Sequence, residues 1–176
     1  MKKSISFWQL VGFVFTCAAG TLLHFVYDWS GQSVVAALFS AVNESIWEHM
    51  KLLFFSMFVY AFAERHFIGR QYKNYWCVKL VGISLGLVVI PVLYYTYTGA
   101  LGTSADWFNI IIFFLAAAVS FILETRLLKN ERCFCISATA SLVVLFLMLL
   151  VFVALTFVPP QIPLFMDPRS NMFGLA

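Results

Sequence analysis

Val34-Val35-Ala36-Ala37-Leu38-Phe39-Ser40-Ala41-Val42-Asn43-Glu44-Ser45-Ile46-Trp47-Glu48-His49-Met50-Lys51-Leu52-Leu53-Phe54-Phe55-Ser56-Met57-Phe58-Val59-Tyr60-Ala61-Phe62-Ala63 is a hydrophobic run with charge lodged in its middle. As a single helix its 30 residues would rise about 45 Å, against a hydrocarbon core of about 30 Å. Glu44, Glu48, His49 and Lys51 are also expensive in lipid, at about 2.5–3.5 kcal/mol for each charged group at the bilayer centre. The run is therefore expected to break near Asn43. Ser45-x-x-Glu48 fits a capping box, with Asn43 as a competing N-cap. A fresh helix is expected to begin near residue 44 and run to Glu64, and residues 31–42 to form a short or re-entrant segment on the outer side. Irregular backbone at that depth is tolerated only under cover of protein or a wet cavity.

The rest of the chain sets the class. Of its 176 residues, 62% are hydrophobic and 11% charged, against about 45–50% and about 25% in soluble domains. That excess excludes a soluble globule and a disordered chain. Lipid must be the partner of most side chains. No Lys/Arg-rich soluble stretch or Gly-rich phosphate loop points to nucleic acid or nucleotides. Five spans of about 20 residues are expected, at about 7–27, 34–63 (broken near 43), 78–97, 107–123 and 136–158. The expected fold is an all-α polytopic membrane bundle of five transmembrane helices, with the second span interrupted. The first span is expected to stay uncleaved, because its apolar run exceeds a signal core of about 7–15 residues.

Basic residues orient the bundle. With the N-terminus cytoplasmic, Lys2, Lys3, Arg65, Arg70, Lys73, Lys79, Arg126, Lys129 and Arg132 lie inside and only Arg169 outside. The C-terminus is then outside. Trp8 and Trp76 fall at the inner interface, and Trp29 and Trp107 at the outer one. Glu64, Arg65 and His66 read as a solvated inner boundary, and Glu124 and Arg126 likewise. Cys77, Cys133 and Cys135 lie on the inner side, where thiols stay reduced; they read as free thiols. Gly82-x-x-x-Gly86 offers a neighbouring helix a close approach, and Pro91 is expected to kink the third long helix.

Helical spacing gathers the polar groups. Glu44, Glu48 and Lys51 share one face at i, i+4, i+7, and Ser45, His49 and Ser56 share the adjoining one. His24 and Asp28, at i, i+4 on the first span, lie at the same outer depth. Asp106 and Asn109 start the fourth span there. The expected result is a polar cluster in the outer half, with His24, Asp28, Asn43, Glu44, Ser45, Glu48, His49 and Lys51 as candidate site residues. Three assignments fit it. Imidazoles and carboxylates suit a divalent cation such as zinc, with His24, Asp28, Glu44, Glu48 and His49 as candidate ligands. Such an ion can also activate water for hydrolysis of a lipid or peptide. A broken helix at depth suits capture or transport of a small solute. The third assignment is structural: Glu48 and Lys51 neutralise each other at i, i+3, and the cluster pins the bundle, a second copy or a protein partner.

Residues 159–176 carry Pro159, Pro160 and Pro163 close together, which forbids a helix and favours an extended path. Ile162, Leu164, Phe165 and Met166 are too apolar for a free tail. The tail is expected to fold over the outer mouth as a lid, with Asp167 reaching the polar cluster.

The block Asn43-Glu44-Ser45, Trp47-Glu48-His49 and Lys51, together with the tail Pro159-Pro160-x-Ile162-Pro163-Leu164-Phe165-x-Asp167, resembles an uncharacterised family of small bacterial multi-pass membrane proteins. The resemblance covers nearly the whole chain. It implies a multi-pass protein of a bacterial inner membrane and names no activity. A looser likeness links the chain to ceramidase-like membrane hydrolases, which hold zinc with His and Asp. This chain has only three histidines, and His66 lies on the opposite side from the other two.

Overall fold

The computed structural model describes residues 4–103, 105–130 and 137–175. Six α-helices follow in order: α1 (Ile5–Trp29), α2 (Val34–Ala37), α3 (Ile46–Phe67), α4 (Tyr75–Leu101), α5 (Asp106–Asn130) and α6 (Ala138–Phe157). One-turn 3₁₀ helices lie at Gly69–Gln71 and Pro163–Phe165. Four helices are long and apolar enough to cross a membrane: α1, α4, α5 and α6. α3 is long enough, at 22 residues, but Glu48, Lys51, Glu64 and Arg65 make it too polar to be counted with them. The expectation of five apolar spans thus resolves into four, plus one charged helix enclosed by the others.

The packing explains how α3 keeps its charge. α1, α3, α4 and α5 form a closed ring, each touching the next, and α6 lies outside against α4 and α3. α3 is the best-covered helix, with Leu53, Phe54 and Ala61 wholly buried. α1 and α6 turn Leu10, Leu22, Leu147 and Leu150 outward instead, each more than half exposed. In water those faces would be costly. In lipid they are the natural exterior.

Small residues set the helix separations. Gly12 lies under the rings of Tyr60 and Phe121, and Gly20 under Phe113. Gly82 and Gly86 admit the side chains of Glu124 and Ser120, so the Gly82-x-x-x-Gly86 spacing serves the α4–α5 contact as expected. α4 runs on through Pro91 without interruption and ends at Gly102, whose φ of 72° is left-handed.

The break falls where the sequence places it. α2 is a single turn, and α3 starts at Ile46 with Ser45 as its N-cap. The tail does fold back: Phe165 stacks 4.6 Å from Trp47, and Asn43 Nδ2 donates to the Gly174 carbonyl at 3.0 Å. Its path is less extended than expected, because Pro163 opens a 3₁₀ turn at the position where its missing N–H costs nothing. The thiol readings divide. Cys17 is free. Cys77 is disulfide-bonded, with a partner outside the described residues. Its side chain is turned into the packed start of α4, 2% exposed, rather than toward the solvent where reductants act. Cys133 and Cys135 lie outside the described residues.

A methyl group added at Gly12 meets two rigid rings, whereas one added at Gly99 meets nothing within 4 Å. Gly12→Ala is therefore expected to destabilise the bundle by about 1–3 kcal/mol. Gly99→Ala is expected to leave stability unchanged or slightly raised. SDS-induced unfolding of the purified protein measures both.

Candidate functional site

The site is built from the chain break. Asn43 Oδ1 accepts from Ser45 N at 2.9 Å, and Ser45 Oγ accepts from Glu48 N at 3.4 Å. In a capping box the Glu48 carboxylate would return to Ser45 N. Asn43 already occupies that donor, so Glu48 Oε2 accepts from Val42 N instead, at 3.1 Å. Both expected cap residues are thus used at once, and Glu44 is left projecting from the loop.

The polar residues that the sequence placed on neighbouring faces separate into two groups. Glu48 and Lys51 pair at 2.5 Å, 2% and 0% exposed. Lys51 Nζ also donates to the Ala37 carbonyl at 3.0 Å and to Thr156 Oγ1 at 2.9 Å. Thr156 Oγ1 lies 3.1 Å from Glu48 Oε1. All three ammonium protons are used, and α2, α3 and α6 are tied together. Glu48 and Lys51 are consumed by this knot, away from the other candidate ligands.

The second group contains His24, Glu44 and His49. One ligand atom from each lies within 4.8 Å of the other two. His24 Nε2 is 3.5 Å from Glu44 Oε1, and His49 Nε2 is 3.8 Å from Glu44 Oε2. His49 Nδ1 lies 2.9 Å from the Ser45 carbonyl. A carbonyl only accepts, so Nδ1 carries a proton there, and Nε2 faces Glu44. His24 Nδ1 is buried and has no hydrogen-bond partner among the described residues. The side chains are 27%, 24% and 16% exposed in the order His24, Glu44, His49, so water reaches the site without flooding it. Both imidazoles line a cleft of about 90 Å³ with Gly20, Leu52, Ile110 and Phe113. Asn109 joins Glu44 and His49 around a smaller cavity, where its Oδ1 accepts from Tyr97 at 2.6 Å.

Two expected members stand apart. Asp28 is exposed at the end of α1 and is not among the grouped ligands. Asp167 folds the tail on itself instead of entering the cluster, accepting from Arg169 N at 2.9 Å and Ser170 Oγ at 2.8 Å. That turn delivers a different residue. Arg169 Nη1 donates to Glu44 Oε1 at 3.0 Å. A carboxylate gains more from a guanidinium than from a second carboxylate, which is why Arg169 and not Asp167 makes the contact. The side chain of Asp106 lies outside the described residues.

A further polar cluster escaped the sequence reading. Glu64, Lys79 and Glu124, expected at the inner boundary, are 0%, 1% and 0% exposed. Lys79 Nζ lies 2.5 Å from both carboxylates. Gln9 Nε2 donates to Glu64 Oε1 at 2.6 Å, and Tyr75 donates to Glu64 Oε2 at 3.0 Å. His66 and Arg126 do face outward, as expected. Their neighbours turn in because Gly82 leaves room for the Glu124 side chain, and Lys79 can neutralise charge there. A signal was present: Tyr60 and Glu64, and Tyr75 and Lys79, each sit at i, i+4 and so put a ring and a charge on one helix face.

With this geometry in hand, a family model supplies the affiliation. It describes a family of unknown function and matches residues 1–175. The chain belongs to DUF6512. No curated protein and no solved structure matches it. The expected membership of an uncharacterised family is met along nearly the whole DUF6512 chain, and no activity comes with it.

Lys51→Met in this DUF6512 protein leaves Glu48 buried without its counter-charge, and is expected to cost about 3–5 kcal/mol. The double variant Glu48→Gln/Lys51→Met is expected to recover most of that loss. Unfolding free energies of the three proteins in one detergent check the coupling.

Proposed function

We propose that the chain is a cell-membrane protein of five crossings, of the bacterial inner-membrane type, whose outer half binds a divalent cation through His24, Glu44 and His49. Zinc is the ion that the donor set suits best. Counting α3 as a crossing is supported by its 22 residues, about 33 Å of helix, and by the ring of helices around its charges. Five crossings put the basic residues between 65 and 79 on the side of the N-terminus, as the positive-inside rule asks. The tail and the His–Glu group then face outward.

The spacing of the ligand atoms carries the cation reading. At 3.5 and 3.8 Å the imidazole nitrogens are too far from Glu44 for good hydrogen bonds. A tetrahedral zinc site with bonds of about 2.0–2.1 Å has edges of about 3.3 Å, and one ligand atom from each residue lies within 4.8 Å of the others, so small side-chain rotations would close the set on an ion. The Ser45 carbonyl fixes the His49 tautomer as an outer-shell partner would. Two imidazoles and one carboxylate leave a fourth position for water or a ligand atom, as in sites that do chemistry. The Arg169–Glu44 pair favours a second reading, in which the tail itself supplies the positive charge and the group only latches the lid or a protein partner.

Metal analysis of protein purified in detergent separates the two. About one zinc per chain is expected, lost in Glu44→Gln and in His49→Ala. Arg169→Ala is expected to tighten binding by about two- to fivefold, the equivalent of one exposed ion pair. Acidification is expected to release the ion, because imidazolium cannot ligate. Metal-free protein, with a cobalt(II) spectrum unchanged by His49→Ala, sinks the cation reading and leaves the latch. The orientation is checked separately: alkaline phosphatase fused after residue 175 is expected to be active, and green fluorescent protein fused there dark.

A further inference from the structure

The cluster of Glu64, Lys79 and Glu124 does not balance. It sets two carboxylates against one ammonium in a region that solvent does not reach. The groups facing it are known on every side. α1 contributes Gln9, α3 contributes Tyr60 and Glu64, α4 contributes Tyr75 and Lys79, and α5 contributes Glu124 and the ring of Phe121. Arg65 lies over the Tyr75 ring, 5.7 Å from its centre, with its Nη1 buried and without a hydrogen-bond partner among the described residues. Lys79 cannot neutralise both acids, and an uncompensated buried charge is strongly unfavourable.

The hydrogen bonds say where the balance is made. Glu64 receives the Gln9 amide and the Lys79 ammonium, while the Tyr75 hydroxyl, 3.0 Å from Glu64 Oε2, shares its one proton with the Ala61 carbonyl at 2.6 Å. Glu124 receives Lys79 on Oε2 at 2.5 Å, while its Oε1 is buried and has no partner among the described residues. Gln9 Oε1 is buried and unpartnered in the same way. A hydrogen on Glu124 Oε1 would turn one orphaned acceptor into a donor.

We infer that the Glu64–Lys79–Glu124 cluster is a proton-binding site, the proton residing on Glu124 Oε1. Loading is a plain acid–base step. A hydronium ion gives its proton to Glu124, one O–H bond forms, one breaks, and water is left behind. Gln9 also lines a cavity of about 250 Å³ between α1 and α5, with Ser6, Leu10, Ile122 and Thr125. Gly82 is part of the same device, because any larger side chain would occupy the volume of the Glu124 carboxyl. This site is separate from the His–Glu group, and its test does not depend on any metal.

The test is carbon-13 NMR and infrared spectroscopy of the full chain in lipid nanodiscs, with its five glutamates labelled at Cδ. At neutral pH one carboxyl signal is expected at the protonated position, with a matching acid C=O band, and both are expected to vanish in Glu124→Gln. Glu124→Gln itself is expected to unfold at the wild-type temperature, because a neutral amide replaces a neutral acid. In Glu64→Gln the remaining acid faces Lys79 alone, and the acid band is expected to disappear as well. Only ionised glutamates in the wild-type protein would overturn the assignment. So would an acid band that persists in Glu124→Gln, or stabilisation of the wild type by sodium chloride but not by choline chloride, which would make the ligand a metal cation.

Discussion

A charge inside this bundle persists only where a nearby residue, on its own helix or a neighbouring one, supplies its counterpart. Glu48 finds Lys51 one turn along its own helix and Thr156 on α6. Glu64 and Glu124 find Lys79 across the ring. Glu44 finds two imidazoles and a guanidinium. In a low-dielectric interior each such pairing is worth far more than in water, and each failure costs correspondingly more. The helices are therefore locked in register by their polar residues as much as by their apolar ones. Moving α4 by one turn against α3 would strip Lys79 of Glu64.

This constraint accounts for the odd character of α3. Alone it is a poor membrane helix. Packed against α1, α4 and α6 it holds its charges, and it carries a member of all three polar clusters: His49, Glu48 and Lys51 near its first turns, Glu64 near its last. The interruption before it is a consequence. A helix that entered straight from α2 would leave Glu44 on the helix surface and the Val42 N–H within the helix. The break instead spends Val42 N on Glu48, Ser45 N on Asn43, and frees Glu44 to meet His24.

The tail belongs to the same scheme. Its apolar residues settle on Trp47, which is itself stacked on Phe152 of α6. Its turn around Asp167 is tightened by bonds to Arg169 and Ser170 and by Asn171 in a left-handed conformation, φ 57°. The product is an arginine held over Glu44. Apolar contact brings the tail down, and hydrogen bonding decides which side chain arrives at the site.

The membrane class, four of the five expected apolar spans, the break near Asn43, the Ser45 cap and the return of the tail were legible in residue order. Each depends on local composition, helical period or backbone chemistry, which a chain carries with it. The resemblance to an uncharacterised family rested on local blocks of the same kind. The assignment of charges to partners was not legible. Period alone could put Glu44, Glu48 and Lys51 on one stripe, but it could not tell that the loop turns Glu44 toward α1 while the helix turns Glu48 toward α6. Nor could it foresee that Glu64 and Glu124 face Lys79 rather than water, since the pairs lie 15 and 45 residues apart in sequence. Residue order fixed which groups would be costly to bury. Only the tertiary structure decided which of them meet, because an ion pair depends on the distance between helices and on the space a glycine leaves open.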